Sequence, residues 1–513
     1  MMKRNGNNMI FLGLDAGSTG IKCVAFSEEG VQLSVAYSEY KTAAGAGDMS
    51  ADAIFSAASD VIKGCVSSPA VDRGDVAAIA VTSFGEACVP VDRDGRCLCD
   101  MVMYTDRRGV EENDAIVKKL GKDRISAITC ASPAPMYSLP KIVWALGNVP
   151  GVRENAYKFL QAADFICFRL SGEFTSTHTQ ACRTEAFDLE KREFSHEILA
   201  AAGVDPSLMP EPVPNGTVIG TLRPALAEEF GLPSSVRVVA GSQDQIAAAT
   251  GAGVLSAGQA VDGTGSVECI TPVFDHIIRD SSFTGDNFAC VPHSVSGLYA
   301  TYAFNFSGGV LLKWFRDTFA SSVKAEAKSR GVSAYRILDE TCPAEPSDIL
   351  VVPHFLGAGG TPDIEPDAKG SIMGMTMQTG LPDIYRAVME GLTYEMVYNL
   401  EKLAAQGICI NELMATGGGA SSPVWLQLKA DIFGSLCGIR SITPLLTDEA
   451  GAAGCAMMAG VAVGRFDSLA QAAESFVKYG DTVYPDLAHK ALYAEKYSRY
   501  KLLRAATLEA FTK

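Results

Sequence analysis

The chain has 513 residues, which is long enough for about two to four domains and a sizeable core. With 48% hydrophobic and 20% charged residues it has the composition of an ordinary globular protein, and no apolar run approaches the length of a membrane span. The net charge of −16 argues against nucleic acid or an anionic membrane as a partner, because both repel an acidic protein.

The cysteines and the N-terminal residues both favour a cytoplasmic protein. The 14 cysteines are irregularly spaced and many lie in apolar runs, which is typical of buried free thiols in a reducing compartment. The apolar run that follows residues 1–9 is interrupted by Asp15, too early for the core of a signal peptide.

The first predicted element is a strand–turn–strand unit. The apolar run Met9–Leu14 ends at Asp15, and a turn rich in glycine and hydroxyl residues leads to a second apolar stretch. Backbone N–H and hydroxyl groups of such a turn can converge on an anion, and Asp15 is placed to hold a hydrated cation. The pattern predicts a loop for phosphate and Mg²⁺. The alternative is an ordinary Asp-Gly hairpin turn.

A helix and three strands are predicted next. Ser50 is a plausible N-cap for an amphipathic helix that begins after it. The three strand-like runs are Val76–Thr82, Cys88–Val91 and Met101–Tyr104. The first leads to Glu86 and the last to Asp106, where a surface ion pair with an arginine is the simplest interpretation.

Residues 110–210 have a mainly helical pattern, and residues 204–222 are predicted to form a loop. The strand Arg237–Ala240 then leads to Asp244, which is followed by a helix of small residues. The carboxyl end of a strand is the usual place for a site in an open α/β sheet. Asp244 is therefore our candidate general base. It could also be the N-cap of a helix that begins at Gln245.

The strand–turn–strand pattern recurs near the middle of the chain. The short strand Gln259–Val261 leads to the turn Asp262–Ser266, and apolar residues follow. Two such turns facing each other across a cleft could clamp a triphosphate from both sides. Glycines cluster near residues 250–258, and we place a domain boundary there, giving domains 1–254 and 255–513.

The second half is predicted to contain one amphipathic segment and four helices. An amphipathic segment spans Asn305–Phe319, a long helix runs over about Pro382–Ala405 with Gly407 as its stop, a small-residue helix covers Ala452–Val463, and an amphipathic surface helix covers residues 486–512. Between them, the strand Glu412–Ala415 runs into three glycines. Ser422 is the candidate N-cap of the helix that follows. Such a glycine loop lets a flat ring or a phosphate approach the backbone.

Two longer motifs resemble the signatures of a known family, the FGGY carbohydrate kinases. Residues 370–375, followed after a gap by 383–390, fit the second signature in full. Residues 136–144 fit most of the first, from which Ala145 and Gly147 depart. The resemblance covers nearly the whole chain. It implies an α/β protein of two actin-like (ribonuclease H-like) ATPase domains flanking a deep cleft, and ATP-dependent phosphorylation of a hydroxyl of a small sugar or polyol.

The resemblance also implies roles for individual residues. Asp244 would be the catalytic base and Asp15 would organise Mg²⁺. The other positions fall into three groups by ligand. Those for the ATP phosphates are Ser18, Thr19, Lys22, Thr264, Gly265 and Gly309. Those for adenosine are Gly417, Gly418, Gly419 and Ser422. Those for the sugar are Gly85, Glu86, Tyr104, Asp106 and Gln245.

The sugar itself is not settled by the motifs. Xylulokinases commonly have Met-His-Gly where this chain has Gly85-Glu86-Ala87, and glycerol kinases have Arg-Glu. The missing arginine at Gly85 would leave room for a substrate larger than glycerol. Carboxylates at Glu86, Asp106 and Asp244 would repel an acid, so we expect a neutral ketose such as xylulose, or a polyol.

Several alternatives remain open at this stage. The chain could be a glycerol or gluconate-type kinase of the same family. From other classes, it could be an actin- or chaperone-like nucleotide switch, or a sugar-binding protein without catalysis. A nucleotide switch does not require a catalytic base or a site that binds sugar hydroxyls. The retained Asp15 and Asp244 argue against a sugar-binding protein without catalysis. A homodimer is possible.

Overall fold

The computed structural model describes residues 8–40, 48–447 and 449–512. Residues 1–7, which entered the signal-peptide argument, lie outside this part. None of the helices in the described part is both long and apolar enough to cross a membrane.

The strands are short to medium in length and are spread along the whole chain. They are β1 (Ile10–Ala16), β2 (Gly20–Ser27), β3 (Gln32–Glu39), β4 (Asp48–Met49), β5 (Val76–Ser83), β6 (Cys88–Val91), β7 (Met101–Val102), β8 (Lys158–Gln161), β9 (Thr175–Thr177), β10 (Phe187–Asp188), β11 (Glu193–Phe194), β12 (Glu211–Val213), β13 (Thr217–Thr221), β14 (Arg237–Gln243), β15 (Gln259–Thr264), β16 (Glu268–Phe274), β17 (Val291–Pro292), β18 (Tyr299–Ala300), β19 (Ala303–Asn305), β20 (Leu350–Val352), β21 (Ser371–Met373), β22 (Glu412–Thr416) and β23 (Ser441–Pro444).

The helices are distributed among these strands along the chain. They are α1 (Ala51–Val66), α2 (Val110–Leu120), α3 (Lys122–Thr129), α4 (Ser138–Asn148), α5 (Val152–Asn155), α6 (Ala162–Ser171), α7 (His178–Cys182), α8 (His196–Ala202), α9 (Pro224–Phe230), α10 (Asp244–Gly251), α11 (Ser281–Gly285), α12 (Gly309–Phe319), α13 (Ser321–Arg330), α14 (Ala334–Thr341), α15 (Leu381–Ala404), α16 (Pro423–Cys437), α17 (Ala450–Ala462), α18 (Leu469–Phe476) and α19 (Lys490–Phe511). Short 3₁₀ helices cover Arg73–Asp75, Pro206–Leu208 and Gly418–Ser421.

Two large sheets repeat one arrangement. The first has the order β13-β14-β5-β1-β2-β3, and the second has the order β17-β18-β16-β15-β22-β23 with β19 also on β16. In each, an antiparallel hairpin (β1–β2 or β15–β16) lies beside two parallel strands (β5 and β14, or β22 and β23). This repeat confirms the two actin-like units predicted from the sequence. The predicted phosphate turns are the two hairpin turns.

The predicted helix caps are present. The Ser50 side chain accepts a hydrogen bond from the Ala53 N–H at the start of α1, and Ser422 accepts one from Trp425 at the start of α16. The long helix α15 ends just before Gly407, whose φ of 81° is the left-handed conformation that favours glycine at a helix stop.

Helix α17 belongs to the C-terminal half of the chain but covers one face of the first sheet. Its alanines and methionines pack on buried residues of β1, β2, β5 and β14, among them Phe11 and Val239. It crosses α10 with backbones in direct contact. A Cβ built on Gly454 would lie 2.0 Å from the Ala247 carbonyl oxygen, and one built on Gly251 would lie 1.9 Å from that of Ala450. The N-terminal and C-terminal parts of the chain are therefore in direct contact at this crossing.

Three predictions about local structure are wrong. The segment 204–222 is not all loop, since it contains β12 and β13. An edge strand such as β13, with a register shift between Val218 and Gly220, tolerates glycine that a central strand would not. Helix α10 begins at Asp244 and its N-cap is Gln243, so Asp244 is not the cap. Helix α19 is not a plain surface helix, because Arg504 is buried and pairs with Glu395.

Candidate active site

Asp244 lies at the carboxyl end of β14, where the first sheet meets the cleft. Its Oδ1 accepts a hydrogen bond from the Gln245 backbone N–H at 2.6 Å and a second from the Gln243 side-chain amide. Burial, together with the negative charges of Asp15 and Glu86, raises the pKa of Asp244 to about 7. A carboxyl group poised near neutral pH is suited to accepting a proton from a hydroxyl.

Asp15 stands at the end of β1, opposite Lys22 in β2. Burial is the main reason that the pKa of Asp15 is raised to about 6. Its Oδ2 is 2.6 Å from the point where a Cβ of Gly451 would lie, so it faces the first turn of α17. A helix N-terminus favours negative charge at this place, whether it is carried by a carboxylate or by a bound phosphate.

The rest of the first turn is partly engaged. The Lys22 ammonium donates to both carboxylate oxygens of Glu449, at 2.7 and 2.6 Å, so the structure places it on Glu449 and not free in the cleft. Ser18 lies near the Tyr104 hydroxyl. Thr19 is exposed at the tip of the turn.

The predicted sugar side of the cleft contains an ion pair at Glu86 that is buried, not at the surface, and whose arginine the sequence analysis did not identify. Glu86 and Arg183 are both buried, and the Arg183 guanidinium pairs with the Glu86 carboxylate. The same guanidinium lies over the rings of Tyr137 and Tyr302, at 5.0 and 5.9 Å from their centroids.

Arg183 also corrects an inference about Gly85. A Cβ on Gly85 would lie 2.8 Å from Cγ of Arg183, so the side chain of Arg183 crosses directly over this glycine. The space that the sequence analysis assigned to a larger substrate is therefore filled by Arg183. The predicted sugar side of the cleft thus contains an arginine; Glu86 and Arg183 together form what we call the Glu86–Arg183 wall. The charge of Arg183 is offset by Glu86.

The first signature explains how Glu86 is held. Glu86 has a left-handed backbone, with φ of 69°, which is strained for this residue. Its N–H donates to the Gln161 side chain at 2.9 Å, and its carbonyl accepts from the Ser138 hydroxyl at 2.6 Å. Ser138 belongs to the signature, as does Lys141, whose ammonium donates to the Asp106 and Arg108 carbonyls. The signature thus supports both strand ends of the predicted sugar site.

The remaining residues predicted for the sugar are not all brought together. Tyr104 is close enough to Glu86 and Asp244 for their charges to act on its hydroxyl, and Gln245 contacts Asp244 through its backbone. The Asp106 carboxylate, in contrast, is bound by Arg108 at 2.8 Å. The ion pair that the sequence alone favoured is therefore present at Asp106.

Buried charged side chains contact one another at the second turn and support it. The Lys429 ammonium contacts Asp262 at 2.6 Å, Glu268 at 2.8 Å and the Thr264 hydroxyl at 2.7 Å. The Thr264 side chain is thus engaged within the protein. The Gly309 N–H, at the start of α12, donates to the Gly265 carbonyl at 2.8 Å. Gly309 therefore supports the turn, while a Cβ on Gly265 would meet no atom within 4 Å, so Gly265 borders open space.

A cavity of about 1030 Å³ opens beside this turn. It is bordered by Gly265 and Gly309, by the glycine loop and Ser422, and by Tyr335, Asp339 and Trp425. The Ser422 hydroxyl donates to Asp339 at 2.8 Å, and the Tyr385 hydroxyl donates to the same carboxylate at 2.8 Å. Gly417 contributes to the loop but borders a neighbouring cavity. The cavity has the size and mixed lining expected for a nucleoside.

The predicted Mg²⁺ position can be tested against the side chains present. In residues 8–40, 48–447 and 449–512, no group of three or more histidine, cysteine, aspartate and glutamate residues could hold a metal by itself. Mg²⁺ is usually held by one or two carboxylates together with substrate phosphates and waters. Asp15, half-buried beside the first turn, fits that requirement.

The residues that the sequence analysis missed are Arg183, Gln243, Lys429 and Asp339. Gln243 was adjacent to a predicted catalytic residue, which was the one available signal. The other three lie in helical or loop segments without a motif, far along the chain from the groups that they contact.

Family models match both parts of this chain. Residues 10–251 match the N-terminal domain, and residues 272–463 the C-terminal domain, of the FGGY family of carbohydrate kinases. The chain is 26% identical to a xylulose kinase of Bacillus subtilis over 504 residues, which is 98% of each protein. It is 26% identical to an autoinducer-2 kinase of Klebsiella pneumoniae over 509 residues, 97% of this chain and 94% of the relative.

The fold is also found among solved structures. The crystal structure of a gluconate kinase from Lactobacillus acidophilus superimposes with a TM-score of 0.86 at 20% identity, covering 98% of this chain and 99% of that one. This likeness confirms the two-domain actin-like fold.

Proposed function

The chain belongs to the FGGY family of carbohydrate kinases, and we propose that it transfers the γ-phosphoryl group of ATP to a hydroxyl of a small neutral sugar or polyol. The observation that carries this proposal is the position of Asp244. It stands between the Glu86–Arg183 wall and the first phosphate turn, with a pKa raised to about 7 by burial and by neighbouring carboxylates.

The transfer needs alignment, charge neutralisation and one proton acceptor. The acceptor hydroxyl oxygen forms a bond to the γ-phosphorus, the bond between that phosphorus and the oxygen bridging to the β-phosphate breaks, and ADP leaves. The hydroxyl proton passes to the Asp244 carboxylate. We assign Ser18 and Thr19 to the phosphates from one side and Gly265 from the other.

Kinases of this family use ATP. The cavity beside Ser422 and Asp339 is our proposed adenosine site, because its glycine loop lets a flat ring approach the backbone. Bound with ATP, Mg²⁺ supplies charge neutralisation at the phosphate oxygens, and Asp15 would hold it.

The acceptor is proposed to be a neutral ketose such as xylulose, or a polyol. The Glu86 carboxylate can accept hydrogen bonds from sugar hydroxyls, and Arg183 is already neutralised by that carboxylate. Asp244 adds negative charge, so the wall as a whole disfavours another carboxylate. The relative named xylulose kinase supports this choice.

A sugar acid is the second candidate, and Arg183 is the observation that favours it. If the acceptor carboxylate displaced Glu86, the guanidinium could bind it in a bidentate manner. The solved gluconate kinase shares the fold. Breaking a buried pair is costly, however, so the neutral acceptor is preferred here.

An ADP-release screen separates the two. The purified protein is given ATP, Mg²⁺ and one acceptor at a time from neutral ketoses, polyols and aldonates. We expect ADP release to rise with a neutral acceptor. An aldonate as the best acceptor would replace the first proposal with the second, and ATP turnover that no acceptor stimulates would argue for a nucleotide switch.

We further propose the domain division 1–254 and 255–513, with the cleft between the halves. Nucleic acid and membranes are not proposed as partners, in view of the net charge of −16. A homodimer remains a proposal, which light scattering of the purified protein would test.

A further inference from the structure

The side-chain amide of Gln243 makes three hydrogen bonds at the predicted catalytic carboxylate. Its Oε1 accepts from the Gln245 N–H at 3.1 Å and from the Tyr302 hydroxyl at 3.0 Å, and its Nε2 donates to Oδ1 of Asp244. The Gln245 N–H can only donate, so it requires the amide oxygen at this position and fixes the orientation of the amide, and the Tyr302 hydroxyl then donates to the same oxygen. The NH₂ group must then face Asp244.

This arrangement leaves the two oxygens of Asp244 unequal. Oδ1 receives both the Gln243 amide and the Gln245 backbone N–H, whereas Oδ2 receives no hydrogen bond from the described residues. One oxygen is therefore anchored and the other is available to a ligand. A carboxylate held at one oxygen has lost most of its freedom to rotate away from an acceptor hydroxyl.

Tyr302 comes from the other half of the chain. It lies between β18 and β19, and β19 pairs with β16, the strand that follows the second phosphate turn. Burial raises the pKa of Tyr302, so its hydroxyl stays protonated and donates. The chain of hydrogen bonds from Tyr302 through Gln243 to Asp244 thus joins the nucleotide half to the carboxylate of the acceptor half.

We propose that Tyr302 and Gln243 are positioning residues for phosphoryl transfer. They hold Asp244 by Oδ1, so that Oδ2 meets the acceptor hydroxyl when the two halves are docked. The proposal rests on the kinase function proposed above and adds a specific link between the halves.

The first test is Tyr302→Phe, which removes one hydroxyl and retains the aromatic ring that lies beside the Arg183 guanidinium. Activity is measured with ATP and D-xylulose, or with the acceptor that the screen ranks first. We expect kcat to fall about five- to tenfold, as for the loss of one hydrogen bond, with the KM for ATP unchanged. The matched control is Tyr299→Phe, because the Tyr299 hydroxyl contacts Arg192 and not Gln243. It should retain wild-type kcat.

The second test asks whether Tyr302 acts through Asp244. In the Asp244→Asn background, Tyr302→Phe should lower kcat by less than about twofold, because the group that it positions is already disabled. Gln243→Met, which keeps the volume and removes all three hydrogen bonds, should lower kcat more than Tyr302→Phe does. A purely structural role for Tyr302 would give the same loss in both backgrounds.

The outcomes separate this inference from the proposed function. The positioning role is overturned if the wild type is active and Tyr302→Phe has the same kcat. It is also overturned if Tyr302→Phe lowers kcat equally in the wild-type and Asp244→Asn backgrounds. Either result leaves the kinase function intact. No acceptor-dependent turnover in the wild type overturns both.

Discussion

Arg183 and Glu86 form a buried ion pair although 97 positions separate them in the chain. Arg183 also fills the space beside Gly85, where a Cβ would lie 2.8 Å from its Cγ, so this strand end has no room for a larger side chain. The cation is supplied from the segment after α7 and crosses over the glycine. The pair gives the proposed acceptor wall a carboxylate for hydroxyl groups and a guanidinium that this carboxylate neutralises.

Glu86→Gln should change the preference for acceptors. The charged acceptor of hydroxyl hydrogen bonds is lost, so we expect the KM for a neutral ketose to rise about tenfold. Arg183 is left without its partner, so the ratio of kcat/KM for gluconate to that for D-xylulose should rise. The control is Glu197→Gln, at the exposed Arg124–Glu197 pair, where we expect no change. An unaltered ratio in Glu86→Gln would remove Arg183 from substrate selection.

The pH dependence of kcat/KM for the acceptor should follow the protonation of Asp244. The base must be deprotonated, and burial with the charges of Asp15 and Glu86 raises its pKa to about 7. As the pH falls below that value, the protonated fraction rises, and kcat/KM should fall about tenfold per pH unit. Initial rates at saturating ATP, with buffers of constant ionic strength, provide the measurement. A profile that stays flat down to about pH 5 would mean that the essential base has an ordinary carboxyl pKa.

Gly454→Ala should destabilise the crossing of α10 and α17. The new methyl group would lie 2.0 Å from the Ala247 carbonyl oxygen, and neither backbone can move without disturbing the first sheet. We expect a loss of about 1–3 kcal/mol in the free energy of unfolding, measured by chemical denaturation. Gly147→Ala, at an exposed helical position with open space around it, should be neutral or slightly stabilising. Equal stability of the two variants would show that the crossing is looser than described.

The two halves should close when both substrates bind. The phosphate turns lie on different sheets and must converge on one triphosphate, with a hinge near residues 251–258. Small-angle scattering should show a smaller radius of gyration with a non-hydrolysable ATP analogue and the acceptor together than with either alone. Identical profiles in all states would count against closure.

Much of the fold could be predicted from the sequence because its signals are local. The two strand–turn–strand units, the caps Ser50 and Ser422, and the stop at Gly407 each depend on a few adjacent residues. The strand β13 was missed because an edge strand with a bulge has the composition of a loop. The start of α10 was misplaced by one residue, since Gln243 is not among the usual N-cap residues.

The candidate site was predictable only where a motif marks it. Asp15, Glu86 and Asp244 follow strands that the pattern reveals, and the resemblance assigns their roles. Their partners were not predictable, because each contact joins distant segments. Lys22 pairs with Glu449 at a separation of 427 residues, and Lys429 reaches Asp262 across 167. Only the folded chain shows which charges are already satisfied and which face a ligand.

The central claim is most directly tested by measuring sugar phosphate formation in the wild type and in Asp244→Asn, with product and ADP quantified together. We expect the wild type to form them in equal amounts, and only with a neutral acceptor. Asp244→Asn should be slower by about 10²–10⁴-fold with nucleotide and acceptor affinities retained, as for the loss of a general base. The control Asp205→Asn, at an exposed helix N-cap, should keep the wild-type rate. A near-wild-type rate in Asp244→Asn, or ADP formed without sugar phosphate, would contradict the assignment.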